Sequence, residues 1–472
     1  MKPIRRFLPL LLAAPGLALS LLCANAQGQT TYTWITETHT TDNPVYWDDD
    51  EKWVGGAVPA PGASAINLDF SNLTVNRSGA TYFRNNVSGS AFNVFQWKLA
   101  DAATSMVYTV DSGAAPIHFV QVGGVNPSIV HDKGSALQQF QFISLSNIVG
   151  TGTVLQITGA ATGRLNLSTV TLSGEGGIRI NKPGGDILLR ETNSFAGDFT
   201  LAAGVVTLTS STTGPVNGVT TGPLGKGTVV LSGGMLRASG AERNLGNRVQ
   251  IEGDFQAGDA SANNKNIVFE GDTLLAGTGV TRTITGGFTG ANAVDQNTVS
   301  FTGAITDGGN ANGLAFALGT SATRVILSGA NTYTGDTTVN GTAASSFTLA
   351  ETGSLRFTIG ANGENNRITG NGVVQLDGTF TFDLTGAGVA PGDEWNLVDV
   401  ATLSVAYGNT FNLADFTSHP DDTWSKTDGT ITYTFFENTG TLQVTAVPEP
   451  SAVALLVGGL AAAAVLLRRR TV

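Results

Sequence analysis

The stretch Leu327-Ser-Gly-Ala-Asn331-Thr-Tyr333-Thr-Gly335-Asp336-Thr-Thr-Val339 decides the fold, because its core recurs as Asn193-Ser-Phe195-Ala-Gly197-Asp198-Phe-Thr-Leu201. In both copies Asn and Gly bracket an aromatic residue, Asp follows, and a β-favouring run begins. Asn and Gly serve turns where φ becomes positive, and β-branched residues suit a pleated surface. The pattern reads as corner, aromatic, corner, strand.

A second pattern supports it. Gly150-Thr-Gly-Thr-Val-Leu-Gln-Ile157, Gly225-Lys-Gly-Thr-Val-Val-Leu-Ser232 and Gly370-Asn-Gly-Val-Val-Gln-Leu-Asp377 each place Gly-x-Gly before a short strand, and Gly174-Glu-Gly-Gly-Ile-Arg-Ile-Asn181 is a looser copy. The three clear copies start 75 and 145 residues apart, and the two Asn motifs lie 138 apart. Propeller blades recur at about 40 to 50 residues, so uneven spacing points instead to an irregular β-solenoid with insertions. One coil cannot bury its apolar face alone; stacked coils bury it continuously. The expected fold is all-β, with almost no helical period between the two ends of the chain.

Composition agrees. Of 472 residues, 61 are Gly, 41% are hydrophobic and only 13% are charged, which separates the chain from highly charged disordered sequences. The net charge is −11, yet both ends are basic; residues 27–447 carry 19 basic and 35 acidic residues, a net of −16. Such a body does not suit nucleic acid, whose binding rests on neutralising phosphates. The single cysteine, Cys23, excludes a disulfide framework. Its preceding residue, Leu22, argues against a lipoprotein site.

The ends read as addresses. Lys2 to Arg6, the apolar run Phe7 to Leu22 and Ala24-Asn25-Ala26 have the order of a secretory signal peptide, with cleavage expected after Ala26 by signal peptidase. Near the other end, Pro448-Glu449-Pro450 precedes the uncharged stretch Ser451 to Leu467 and then Arg468, Arg469 and Arg470. Those 17 residues would reach about 25 Å as a helix, just short of a hydrocarbon core of roughly 30 Å. The arginines would stay cytoplasmic. This order resembles the PEP-CTERM sorting signal, matching its Pro-Glu-Pro motif residue for residue. The resemblance implies processing by an exosortase-type membrane protease in a Gram-negative bacterium that makes exopolysaccharide, and a transmembrane helix at 447–472.

Leu327 to Val339 resembles the autotransporter-associated β-strand repeat, with Thr192 to Leu208 as a weaker copy. The resemblance implies a right-handed parallel β-helix of the kind found in adhesin-like passenger domains. The sequence departs from true autotransporters in having the sorting tail where an outer-membrane barrel would follow. The expected organisation is a signal peptide at 1–26, an N-terminal cap and first coils at 27–135, the solenoid at 136–375, a partly antiparallel β cap at 376–446 and the sorting signal at 447–472. Trp47 and Trp53 are expected to cover the first coil, and the aromatics from Phe380 to Phe436 to build the C-terminal cap.

Chemistry is harder to find. Asp48-Asp49-Asp50-Glu51 lacks the alternating pattern of a Ca²⁺ loop and reads as a solvated turn. His39, His118, His131 and His419 stand too far apart in sequence for a zinc motif. The Gly-x-Gly pairs precede strands, so they are turns rather than nucleotide fingerprints. Asp198 and Asp336 occupy equivalent places. Adjacent coils of a β-helix can present two carboxylates for glycoside chemistry, but Asp after Gly more simply bonds nearby turn amides. Trp34, Trp97, Trp395 and Trp424 could stack on sugars but fit core positions better. Asn72 and Asn86 head Asn-x-Ser/Thr sequences with little meaning outside eukaryotic secretion. No catalytic residue, metal or cofactor is expected. The reading is an exported structural or adhesin-like surface protein that contacts exopolysaccharide or matrix proteins. A polysaccharide-active glycosidase or lyase is the alternative, to be recognised by carboxylates and a Lys or Arg in one groove.

Overall fold

The computed structural model describes residues 29–446 apart from short internal stretches (36–37, 40–43, 76–80, 100–104, 143–145, 168, 190–191, 259–263, 287–297 and 320–322). The expected signal cleavage residues Ala24 and Ala26 lie outside the described residues. So do Cys23, the sorting motif Pro448, Glu449 and Pro450, the apolar stretch after it, and Arg468, Arg469 and Arg470. Among the described residues no helix is long and apolar enough to cross a membrane.

The described residues are all-β, and the helical turns among them are short 3-10 turns such as Asp50–Lys52 and Leu403–Val405. Strands pair mostly in parallel with strands one coil later in sequence. One interior column shows why. Leu68, Trp97, Ile129, Ile157, Ile180, Leu201, Leu231, Ile251 and Leu275 are consecutive partners up the stack, and all are buried. Alternation within each short strand turns every second side chain inward. In-register stacking then sets an apolar residue on an apolar residue. Each buried aliphatic contributes about 1.5–3 kcal/mol by area, an upper estimate because unfolded chains are partly collapsed.

The coils differ in length. Val229 pairs with Val249, 20 residues on, whereas Thr273 pairs with Ile305, 32 residues on. This variation is what the uneven motif spacing reflects. In the C-terminal half each coil supplies three strand columns. Arg324–Leu327, Ala330–Asn331 and Thr337–Asn340 form one coil; Ser346–Leu349, Ser354–Thr358 and Ile368–Gly370 form the next. Parallel pairing continues through Val398–Val400 and Asn412–Leu413.

The two ends are finished differently. At the N-terminal end the chain folds back so that Trp53 bridges Trp34 antiparallel, with Val54 N–H donating to the Thr33 carbonyl at 2.9 Å. Trp34, Trp47 and Trp53 interlock with Phe70 inside the first coils, and the Trp53 indole N–H donates to the Trp47 carbonyl at 2.9 Å. At the other end Glu394–Asn396, Thr417–Ser418, Thr423–Asp428, Ile431–Phe436 and Thr441–Ala446 form a five-stranded antiparallel sheet. Its Phe435 packs on Phe380, Phe382, Tyr407 and Phe411 of the last coils. Both devices cover apolar surface and backbone edges that a bare stack would expose.

Candidate functional site

The two Asn motifs turn out to be clamps between coils. Asn193 accepts from Leu172 N–H at 2.9 Å and donates to the Pro223 carbonyl at 2.9 Å. Asn331 accepts from Ile305 N–H at 3.1 Å and donates to the Gly329 and Ser354 carbonyls at 2.9 and 3.0 Å. Each therefore ties an earlier coil to a later one. Asp198 accepts from Thr228 N–H at 2.9 Å and Asp336 from Arg367 N–H at 3.0 Å. These amides are not turn neighbours but belong to the next coil, which parallel stacking brings alongside. The two carboxylates are separated by five coil steps, about 24 Å at the usual strand spacing, so they form no pair.

The other candidates also settle into structural places. Asp49 caps the turn Asp50–Lys52 by accepting from Glu51 N–H at 3.1 Å. His39 lies in the short strand Thr38–His39. His118 meets the Asn147 amide at 3.1 Å, and burial holds its pKa below the ordinary value. His419 meets Ser425 Oγ at 2.7 Å on the antiparallel sheet. Trp34, Trp97 and Trp395 are buried; Trp424 is half-buried and donates to Glu437 at 2.6 Å. Asn72 sits exposed in a turn, and Asn86 accepts from Asp48 N–H at 3.4 Å. Among the described residues no group of three His, Cys, Asp or Glu side chains could share a metal ion.

The sequence reading missed a place where several charged side chains converge. It begins with a bulge. In the strand Gly177–Leu189, Asn181 pairs with Ala203 and Asp186 with Val205, so the four residues Lys182–Gly185 oppose the single Gly204. Pro183 and the two glycines suit this detour. Gly185 has φ +69, and a Cβ there would stand 2.4 Å from the Gly163 carbonyl oxygen of the coil below.

The bulge turns Lys182 inward and Asp186 outward. The Lys182 ammonium, fully buried, donates to the carbonyls of Ala161 at 2.6 Å, Gly163 at 3.2 Å and Gly184. Burial pulls its pKa down to about 8, with Asp186 opposing. Beside it His131 is also buried. Burial first and the Lys182 charge second push its pKa down to about 4, with the Lys133 backbone opposing.

Outside, Asp186 Oδ2 receives Arg164 Nε at 3.0 Å, Arg164 Nη2 at 2.9 Å and Arg237 Nη2 at 2.7 Å. Its Oδ1 accepts from the Thr207 hydroxyl at 2.7 Å, and Arg237 Nε donates to Thr207 Oγ1 at 2.6 Å. Arg164, Asp186, Thr207 and Arg237 thus form a polar ladder across four successive coils. Arg164, Asp186 and Arg237 line an open groove of about 580 Å³. The groove holds one carboxylate bridging two guanidiniums and lacks the carboxylate pair of a glycosidase. Lys182-Pro-Gly-Gly-Asp186 carries a sequence signal, since Pro and Gly inside a strand mark a bulge. The two arginines carry none, because only coil lengths bring them there.

No family model matches the chain, and no solved structure does. Among curated proteins it is similar to an adhesin autotransporter, BmaC of Brucella suis biovar 1 (strain 1330), with 26% identity over 340 residues. That similarity covers 71% of this chain and 8% of the relative, so the chain corresponds to a small part of the adhesin's length.

Proposed function

We propose that this protein is an exported structural or adhesin-like β-solenoid of a Gram-negative cell surface or extracellular matrix. The observation that carries the reading is a similarity to an adhesin extending over most of a chain that folds as stacked parallel coils. A stack of this kind offers a long, stiff face for contact, and an acidic, polar exterior keeps it solvated. In the finer reading the coils wind right-handed. The residues up to Ala26 direct export. Pro448-Glu449-Pro450, the apolar span after it and Arg468 to Arg470 hold the protein in the inner membrane until an exosortase-type protease processes it. Exopolysaccharide or matrix proteins are the proposed partners.

Cell fractionation with mass spectrometry of the mature termini, together with gene deletion, tests this. The expected result is a mature N-terminus at Gln27, a processed C-terminus near Pro448, and weakened matrix or cell-cell adhesion on deletion. A full-length chain retained in the cytoplasm, or unchanged matrix, adhesion and aggregation, overturns it.

A further inference from the structure

We propose that the groove over the Lys182–Gly185 bulge binds carboxylated sugars, with Arg164 and Arg237 as the anion-recognising residues.

Four observations converge. First, the groove is positive on a negative body. Its only charged lining residues are Arg164, Asp186 and Arg237, and Lys182 lies beneath them, giving a local charge of about +2 at neutral pH by simple addition, while residues 27–447 carry −16. Second, the bulge that builds it adds residues to a single coil, and bulges of this sort re-aim side chains beside functional sites. Third, a carboxylate already fits there. Asp186 occupies the notch between the two guanidinium groups, so an incoming carboxylate competes with it for them. Fourth, Arg164 is half-exposed (48%) while Arg237 (16%) and Asp186 (13%) are largely covered, so the outer edge of the Arg164 guanidinium, not the carboxylate, faces solvent, with Arg237 behind it.

A guanidinium fork matches a planar carboxylate better than a point cation does. Hydroxyls of Ser135 and Thr162 line the same groove, as partners for sugar hydroxyls. The volume lies within the usual range for small-ligand sites, about 300–1,000 Å³. An open groove lined by two cations therefore favours a uronate-bearing polysaccharide over an uncharged ligand.

The inference rests on the proposed surface location, since a cytoplasmic chain would not meet such a polymer. The test uses the full-length chain purified in detergent and titrated calorimetrically at low salt with oligogalacturonate, dextran oligomers and dextran sulfate. Oligogalacturonate should bind. Arg164→Gln and Arg237→Gln should each weaken it at least tenfold, and Asp186→Asn, which removes the competing internal carboxylate, should tighten it several-fold. A merely structural ladder would not give that gain. Arg356→Gln serves as the control for lost charge, because Arg356 pairs with Asp383 at 2.6 Å elsewhere on the stack. Should Arg237→Gln fail to fold, rim residue Arg164 carries the test. The proposal is overturned by no binding, by equal binding of dextran, by preference for dextran sulfate, or by equal weakening in Arg356→Gln. Weakened adhesion on gene deletion, with uronate affinity unaltered in the groove variants, would sink this site and leave the surface reading standing. Uronate binding by a chain found only in the cytoplasm would do the reverse.

Discussion

The coil that contains Asn193 and the coil that contains Asn331 share a skeleton but not a neighbourhood. In each, Asn clamps two other coils, an aromatic side chain (Phe195 or Tyr333) is buried, Gly touches the coil below, and Asp caps the coil above. The first copy's strand lies against buried Lys182, and Gly204 approaches the Lys182 carbonyl. The second meets buried Asp307, whose carboxylate accepts from Gly309, Asn312 and Thr334 N–H groups and from the Thr334 hydroxyl. The repeat thus supplies the joints of the stack, and residues outside it supply local chemistry of opposite sign.

The largest expected effect attacks the shared part. Asn193→Leu and Asn331→Leu keep the volume but leave backbone groups of neighbouring coils without partners. Each buried orphan costs about 1–3 kcal/mol. A loss of about 3–5 kcal/mol is expected for each variant in denaturant unfolding, similar at the two sites: Asn331 holds three groups, but the Gly329 carbonyl keeps the Ser354 N–H as a partner, so each variant strips two. A loss under about 1 kcal/mol at either site would mean that the clamp is incidental.

Gly197→Ala and Gly335→Ala come next. A Cβ would stand 2.6 Å from the Gly176 carbonyl carbon in one copy and 2.5 Å from that of Asn312 in the other. Backbone must move in both, at about 1–3 kcal/mol. Equal shifts in melting temperature are expected. Clearly unequal ones would show that the copies are alike in sequence only.

Acid and alkali should separate the neighbourhoods. Lys182 titrates near 8 in the folded chain against 10.5 unfolded. Between those values the unfolded chain keeps a proton that the folded chain has lost, so this contribution to stability rises with pH. At Asp307 burial alone would raise the pKa, but the donors from Thr334, Gly309 and Asn312 outweigh it and the pKa falls. Its contribution is complete above 3.8, the ordinary value, and is lost as pH drops through the lower folded one. Lys182→Met should therefore flatten the stability profile between pH 8 and 10.5 by about 2 kcal/mol, taking roughly 1.4 kcal/mol per unit and discounting for water in the groove above. Asp307→Asn should flatten only the acid limb. Unfolding titrations of both variants check this, and the same slope change in both would erase the contrast.

The sequence showed what is local and hid what depends on coil length. Asn193, Gly197 and Asp198 stood out as a motif, but not for turn chemistry: neither Asn193 nor Gly197 takes a positive φ, and all three touch neighbouring coils. A stack of coils followed from the repeated motifs and their spacing, and its parallel pairing from the family resemblance that the Asn motif carries. The partner of Asp198 could not be foreseen, because Thr228 lies 30 residues away and only the length of that coil brings it alongside. The groove was hidden for the same reason. Arg164, Asp186, Thr207 and Arg237 are spaced by three unequal coils, and a one-residue change in any of them would turn a side chain inward. Trp34 and Trp97 were ambiguous because alternation gives the face of a side chain only once the register is known.

The smallest expected effect concerns one hydroxyl. Tyr333 is fully buried, and its phenol lies 2.6 Å from Thr337 Oγ1; burial raises its pKa, with the Thr337 bond opposing. The first copy has Phe195 and Phe199 at these places, so it shows that the corner closes without the pair. Tyr333→Phe should cost about 1 kcal/mol by stranding the Thr337 hydroxyl, and Thr337→Val about the same by stranding the phenol. Removing both partners strands neither, so the double variant should cost no more than one single, a coupling of about 1 kcal/mol in a double-mutant cycle. Losses that simply add would show that each hydroxyl has another partner and that the two corners are not interchangeable.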